Sequence, residues 1–169
     1  MTDILSFSRN RCTSVEFIND QTIKSSCRLQ DTLTEAFVEI TAQLPDLEIT
    51  AAKGDVRRTH RMECLDSTEF LQKVTGVRIG PGMLEIIKGL LVENTECKEL
   101  IFMVQECCHG VILSLTKDIL LKAPEDQEGK TEFFSKMVRN NIRLYNRCAA
   151  FSPGSRLVEG LEPPLMDSR

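Results

Sequence analysis

Tryptophan is absent from this 169-residue chain, tyrosine occurs once, and aromatic residues make up 5% of it. Leu, Ile, Val, Met and Phe must fill the interior, and there are few rings on which single-stranded nucleic acid could stack. Positive charge is not in excess either. Lys and Arg number 21 against 25 Asp and Glu, a net charge of −4, which argues against a protein whose main task is to neutralise phosphates over a broad face. No apolar run approaches the roughly 20 residues of a membrane span. Met1-Thr2-Asp3 lacks the glycine that myristoylation needs and Asp167-Ser168-Arg169 is no prenylation box, so no membrane association is expected.

Motifs of catalysis and ligand binding are missing as well. The sequence holds no GxSxG, GxxxxGK[ST], GxGxxG, HExxH or EF-hand loop, and hence no nucleophile elbow, phosphate-cradling loop or helix-borne metal pair. Seven cysteines stand at positions 12, 27, 64, 97, 107, 108 and 148. Their odd number, the absence of CxxC and the lack of a signal-peptide pattern lead to an expectation of reduced thiols in an intracellular protein, cytoplasmic or nuclear.

Helix-forming sequence, by contrast, is abundant. A chain of this size hides roughly 70% of its unfolded surface, enough for a real core. Thr13-Ser14-Val15-Glu16 has capping-box spacing and predicts a helix over 14–27. Leu29, Leu33, Ala36, Phe37, Ile40 and Leu44 recur at helical intervals up to Pro45 and predict a second. Between 47 and 62 the period shifts to alternation, with Lys53-Gly54-Asp55 as turn residues, the pattern of a small β-hairpin. Asp66-Ser67-Thr68-Glu69 caps a brief helix. Gly80-Pro81-Gly82 opens another, expected to bury Met83, Ile86, Ile87, Leu90 and Leu91. The stretch 96–122 would run about 40 Å as one helix. Its polar residues form a narrow stripe broken by Phe102 and Leu113, so it reads as the central element. A last helix is expected over 131–150.

The resulting expectation is a mainly α fold, a compact bundle of about five helices around 96–122, occupying 1–151, with 152–169 as an extended or disordered tail. Gly80-Pro81-Gly82 between a short and a longer helix also resembles one armadillo- or HEAT-type unit, which implies a short helical stack as the alternative.

Cys107-Cys108-His109 groups donors of metal-binding type, but consecutive helical residues diverge by about 100° and cannot converge on one ion. A tetrahedral site would need His60, Cys64 or Cys148 brought in by folding. No metal, cofactor or catalytic residue is therefore assigned. Lys136, Arg139, Arg143 and Arg147 are spaced three, four and four apart, which would place four cations along one face of the last helix. With Phe102 and Leu113 they form the candidate partner-binding set. The function these features suggest is a non-catalytic adaptor or regulatory subunit that binds a protein partner, in particular an acidic segment, or a second copy of itself. The alternatives are a nucleic-acid-associated factor using the basic stripe and an enzyme whose site is assembled from scattered residues. The central helix is expected to bury Ile101, Val104, Cys108, Ile112 and Leu115. Val104→Asp should accordingly cost several kcal/mol by burying an unpaired charge, measured by thermal or denaturant unfolding.

Overall fold

The computed structural model describes residues 6–92, 97–146 and 148–161. They fall into two compact units, divided between Leu115 and Thr116. The first is built on a four-stranded antiparallel meander, β1 (Arg9–Asn19), β2 (Thr22–Asp31), β3 (Glu35–Gln43) and β4 (Glu48–Arg58), in the order β1-β2-β3-β4. After it come a turn at Met62–Cys64, a 3-10 segment at Asp66–Val74, and helices α1 (Met83–Val92) and α2 (Lys98–Leu120). The fold is mixed α/β, which overturns the expected five-helix bundle and the armadillo-type alternative alike.

Period two explains the correction. Ile23, Cys27 and Leu29 of β2, Ala36, Val38, Ile40 and Ala42 of β3, and Ile49 and Ala52 of β4 are buried on one face, and the strand register brings Cys27 opposite Val38 and Ile40 opposite Ala52. The alternation is muted in sequence because two inward positions of β2 are Ser25 and Asp31, while Phe37 adds an apolar residue outside. Leu29, Phe37 and Ile40 thus imitate a helical stripe. The supposed hairpin at 47–62 is corrected too: β4 is one continuous strand paired with β3, and Gly54 lies within it. A Cβ on Gly54 would sit 2.6 Å from Leu71 Cδ1, so this glycine marks the close seating of the 3-10 segment on the strand rather than a turn.

The outer face is held by charge. Glu16 and Glu39 pair with Lys24, and Lys53 reaches Glu39 at 2.9 Å, an alternating row across all four strands. The hydrogen bond to Glu16 is the chief reason that the Lys24 ammonium is held above its usual pKa.

Helix α2 covers the inner face. Leu100, Met103, Val104, Cys107, Cys108 and Val111 are fully buried and Ile101 nearly so, while Ile112 and Leu115 are partly buried against the same core. The central helix is real, but its partner is a sheet. Lys98–Lys117 is long and apolar enough to cross a membrane by composition, and contact with the sheet accounts for the apolar residues up to Val111. Helix α1 buries Met83, Ile87 and Leu91, whereas Ile86 and Leu90 are exposed.

The expectation of seven reduced thiols is also overturned. Cys64 and Cys97, 33 residues apart in sequence, form a disulfide with Cα atoms 5.1 Å apart. Sequence separation hid the pairing.

In the second unit α3 (Gln127–Asn140) is capped by Asp126, whose carboxylate accepts from Gly129 N at 2.7 Å. It ends ten residues earlier than expected, and short 3-10 turns follow at Ile142–Leu144, Ala149–Phe151 and Arg156–Val158, the last burying Val158.

One buried carboxylate closes the β2–β3 turn. Asp31 accepts from Leu33 N at 2.8 Å and Thr34 N at 2.6 Å, and Arg9 pairs with its other oxygen at 2.7 Å. Burial alone would raise its pKa, but these donors outweigh it and hold the carboxyl below the usual range. A depressed folded-state pKa means the stabilisation is present above the unfolded value of about 4 and is lost as pH falls through the folded value. Asp31→Asn should destabilise by about 2 kcal/mol at neutral pH and flatten the acid limb of a stability-versus-pH curve from chemical denaturation.

Candidate interaction surface

The two edges of the sheet differ. Beside β4, Ile49 N donates to Val77 O at 2.9 Å, Gly76 N to Ile49 O at 2.8 Å and Ile79 N to Leu47 O at 2.9 Å, so residues 76–79 close the start of that edge. Beside β1, no strand pairs with the outer edge among the described residues, and every residue of β1 except Val15 is exposed.

Hydrogen-bond alternation fixes which groups face outward. Thr32 N donates to Ser8 O at 3.1 Å at the end of the β1–β2 ladder. In antiparallel pairing every second residue bonds across. Asn10, Cys12, Ser14 and Glu16 therefore bond to β2, and the backbone groups of Arg9, Arg11, Thr13, Val15 and Phe17 point away from it. Asp31 N donating to Thr34 O and Leu44 N to Gln21 O agree, since they turn the odd residues of β2 toward β3.

A ledge from α2 runs alongside this edge. A Cβ on Gly110 would meet Thr13 Cγ2 at 2.9 Å and Val15 Cγ2 at 3.1 Å, and Phe102, two turns earlier, lies under the Arg11 guanidinium at 4.3 Å. From Phe102 to Gly110 the helix rises about 12 Å, and from Arg11 to the middle of Thr13–Val15 a strand covers about 10 Å. Helix and edge strand are thus nearly parallel. Phe102 is 38% exposed and Leu113 63%. Phe17 and Ile18 add exposed apolar surface at the far end of β1. Arg11 adds positive charge at the near end, where Arg9 is paired with Asp31.

Of the residues singled out from sequence, Phe102 lies beside this edge, and Leu113 is exposed on α2, three residues beyond Gly110. Lys136 and Arg139 are exposed on α3 in the second unit, where Arg139 Nη2 donates to Glu159 O at 3.0 Å. Arg143 stands in the turn Ile142–Leu144, beyond the end of α3, and Arg147 lies outside the described residues. The four cations do not share one helix. His60 and His109 are both exposed, with His109 Nδ1 3.7 Å from Glu106 Oε1. Sequence reading missed β1 altogether. The signal lay in Thr13, Val15, Phe17 and Ile18, strand-favouring residues before the Asn19-Asp20 turn, in which Asn19 Oδ1 accepts from Gln21 N at 2.9 Å.

Beneath the ledge lies a buried thiol group. Burial is the largest cause that pushes the Cys27 and Cys107 thiols up, and it pushes Cys108 up to about 12. These three are inert by burial, while Cys12 and Cys148 are exposed.

No protein-family model, curated protein or solved structure matches this chain.

Alkylation of the native, unreduced protein should label Cys12 and Cys148 rapidly and Cys27, Cys107 and Cys108 slowly, read by peptide mass spectrometry. Denaturation without reductant should expose five thiols in all, the free cysteines, and rapid native labelling of Cys107 or Cys108 would contradict the packing of α2.

Proposed function

We propose that this protein is a non-catalytic interaction module, an adaptor or regulatory subunit, which takes an extended segment of a protein partner as a fifth strand against β1. The observation that supports this reading most is the asymmetry of the sheet: residues 76–79 cover the start of the β4 edge, whereas among the described residues no strand pairs with the outer edge of β1. Sheet edges are ordinarily blunted by proline, inward charge, bulges or covering loops. β1 has a register shift only between Phe17 and Asn19, and Arg11 to Phe17 is a regular, proline-free stretch. An added strand would gain main-chain hydrogen bonds along β1, and its inward side chains would rest on Phe102.

Charge selects the occupant. Arg11 at one end, whose guanidinium stands over the Phe102 ring, favours an acidic residue in the incoming strand. A second copy paired two-fold through β1 would instead set basic and apolar ends side by side, without this complementarity.

The test uses the direction of the amides. A partner segment identified by co-purification and native mass measurement is titrated against the protein and two proline variants. Thr13→Pro removes an outward amide and should leave the melting temperature within a few degrees while weakening binding about tenfold or more. Ser14→Pro removes an amide that bonds to β2 and should destabilise the sheet itself. A folded Thr13→Pro protein that binds its partner undiminished would rule out strand addition at β1, and a native dimer that the same substitution dissociates would make the second copy the occupant.

A further inference from the structure

Two segments far apart in sequence meet at the start of α2. Cys64 ends the turn after β4, Cys97 stands immediately before the helix, and Glu99 lies in its first turn. The two sulfurs and a Glu99 carboxylate oxygen all lie within 4.8 Å of one another. Cys64, Cys97, Glu99 and His60 wall the same cavity of about 10 Å³, the room of a single water-sized sphere. Glu99 Oε2 is buried and has no hydrogen-bond partner, Arg61 Nη1 standing 4.0 Å away. A buried carboxylate oxygen without a donor is costly, and a cation in the cavity would satisfy it.

We infer that Cys64, Cys97 and Glu99, with His60 as fourth ligand, form a zinc site in the reduced protein, and that the Cys64–Cys97 disulfide is the closed state of the same site. Zinc bonds of about 2.3 Å to sulfur and about 2.1 Å to oxygen or nitrogen put tetrahedral ligand atoms about 3.5–3.8 Å apart, a spacing that the two sulfurs can take once their bond is reduced and that lies within the 4.8 Å limit of the cluster. Two sulfurs with one oxygen and one imidazole select zinc over the hard cations calcium and magnesium. His60 lines the cavity and would complete the set from its exposed side, and Arg61, 4.0 Å from Glu99, offsets part of the negative charge of two thiolates and a carboxylate around a divalent ion.

The two states exclude each other because both use the same sulfur electrons. On binding, the two thiols release two protons and the thiolates coordinate zinc. On oxidation by a small-molecule disulfide such as glutathione disulfide, one thiolate attacks the oxidant, expelling one small thiolate and forming a mixed disulfide. The second cysteine then displaces the other small thiolate. One S–S bond is broken and one formed, two electrons pass to the oxidant, and the zinc ion leaves.

The experiment is zinc titration of the full chain after reduction and metal removal, followed by a chromogenic chelator and by cobalt substitution. One zinc per chain is expected, with thiolate-to-cobalt charge-transfer bands. Cys64→Ser and Cys97→Ser should each abolish both. If either serine variant fails to fold, Glu99→Gln and His60→Ala carry the test, each lowering zinc affinity about tenfold or more while the cysteine pair still oxidises. Glutathione disulfide should release zinc in step with the loss of two thiols per chain. Reduced protein that takes up no zinc, or uptake that survives both serine variants, overturns the site; zinc retained after those two thiols are oxidised overturns the switch.

Discussion

Everything in the first unit depends on how closely α2 can lie against the sheet. One face of a four-stranded meander must be covered, and α2 supplies the cover from Leu100 to Val111. The approach is close at Gly110, where a Cβ would press on Thr13, Val15 and the Ser25 hydroxyl at 3.2 Å or less. Glycine in a helix interior costs about 1 kcal/mol relative to alanine. Here that cost is offset by packing, since a larger residue would lift the helix from β1 and open the core around Ser25, Cys27 and Cys107.

The same contact determines what is left over. Because α2 sits above the edge strand rather than beyond it, the inward side chains of β1 are partly roofed while its backbone edge stays open. Val15 is half-buried against the core, yet its amide points outward. Phe102 lies under the Arg11 guanidinium at the same strand. An open edge is ordinarily an aggregation hazard. In this protein charged side chains along β1, Arg9, Arg11 and Glu16, temper that hazard.

Legibility in the sequence follows the same physics. The central helix was readable because burial of one face leaves apolar residues at helical intervals, and Ile101, Val104 and Cys108 were correctly placed inside. The sheet was not, because its inward positions are filled by small or polar residues. Ser25 tolerates burial under Gly110, and Asp31 is satisfied by Arg9 and two amides, so neither looks like a core residue in isolation. The turn at Asp31-Thr32-Leu33-Thr34 was an Asx-turn signal hidden inside a helical stripe. Phe102 and Leu113 were legible as apolar breaks in a polar stripe, but the strand edge beside Phe102 is a product of pairing. The basic stripe was drawn on a straight helix to residue 150, and the backbone leaves helical geometry at Asn141 (φ −136°, ψ 80°), which separates Arg143 from Lys136 and Arg139.

Cys64 and Cys97 matter to this arrangement through the loop they close. Tying residues 33 apart reduces the freedom of the unfolded chain by about 4 kcal/mol in the chain-entropy description, and it fixes the first turn of α2 to the segment that follows β4. A zinc ion held by the same two sulfurs would close the same loop. Reduction in the presence of zinc would then leave α2 anchored over the sheet, whereas reduction without zinc would remove the tie and leave apolar packing and the Arg61–Glu99 pair to hold the start of the helix. The anchored end lies less than two turns from Phe102, so the ledge beside β1 is built on the part of α2 that the cysteine pair holds in place.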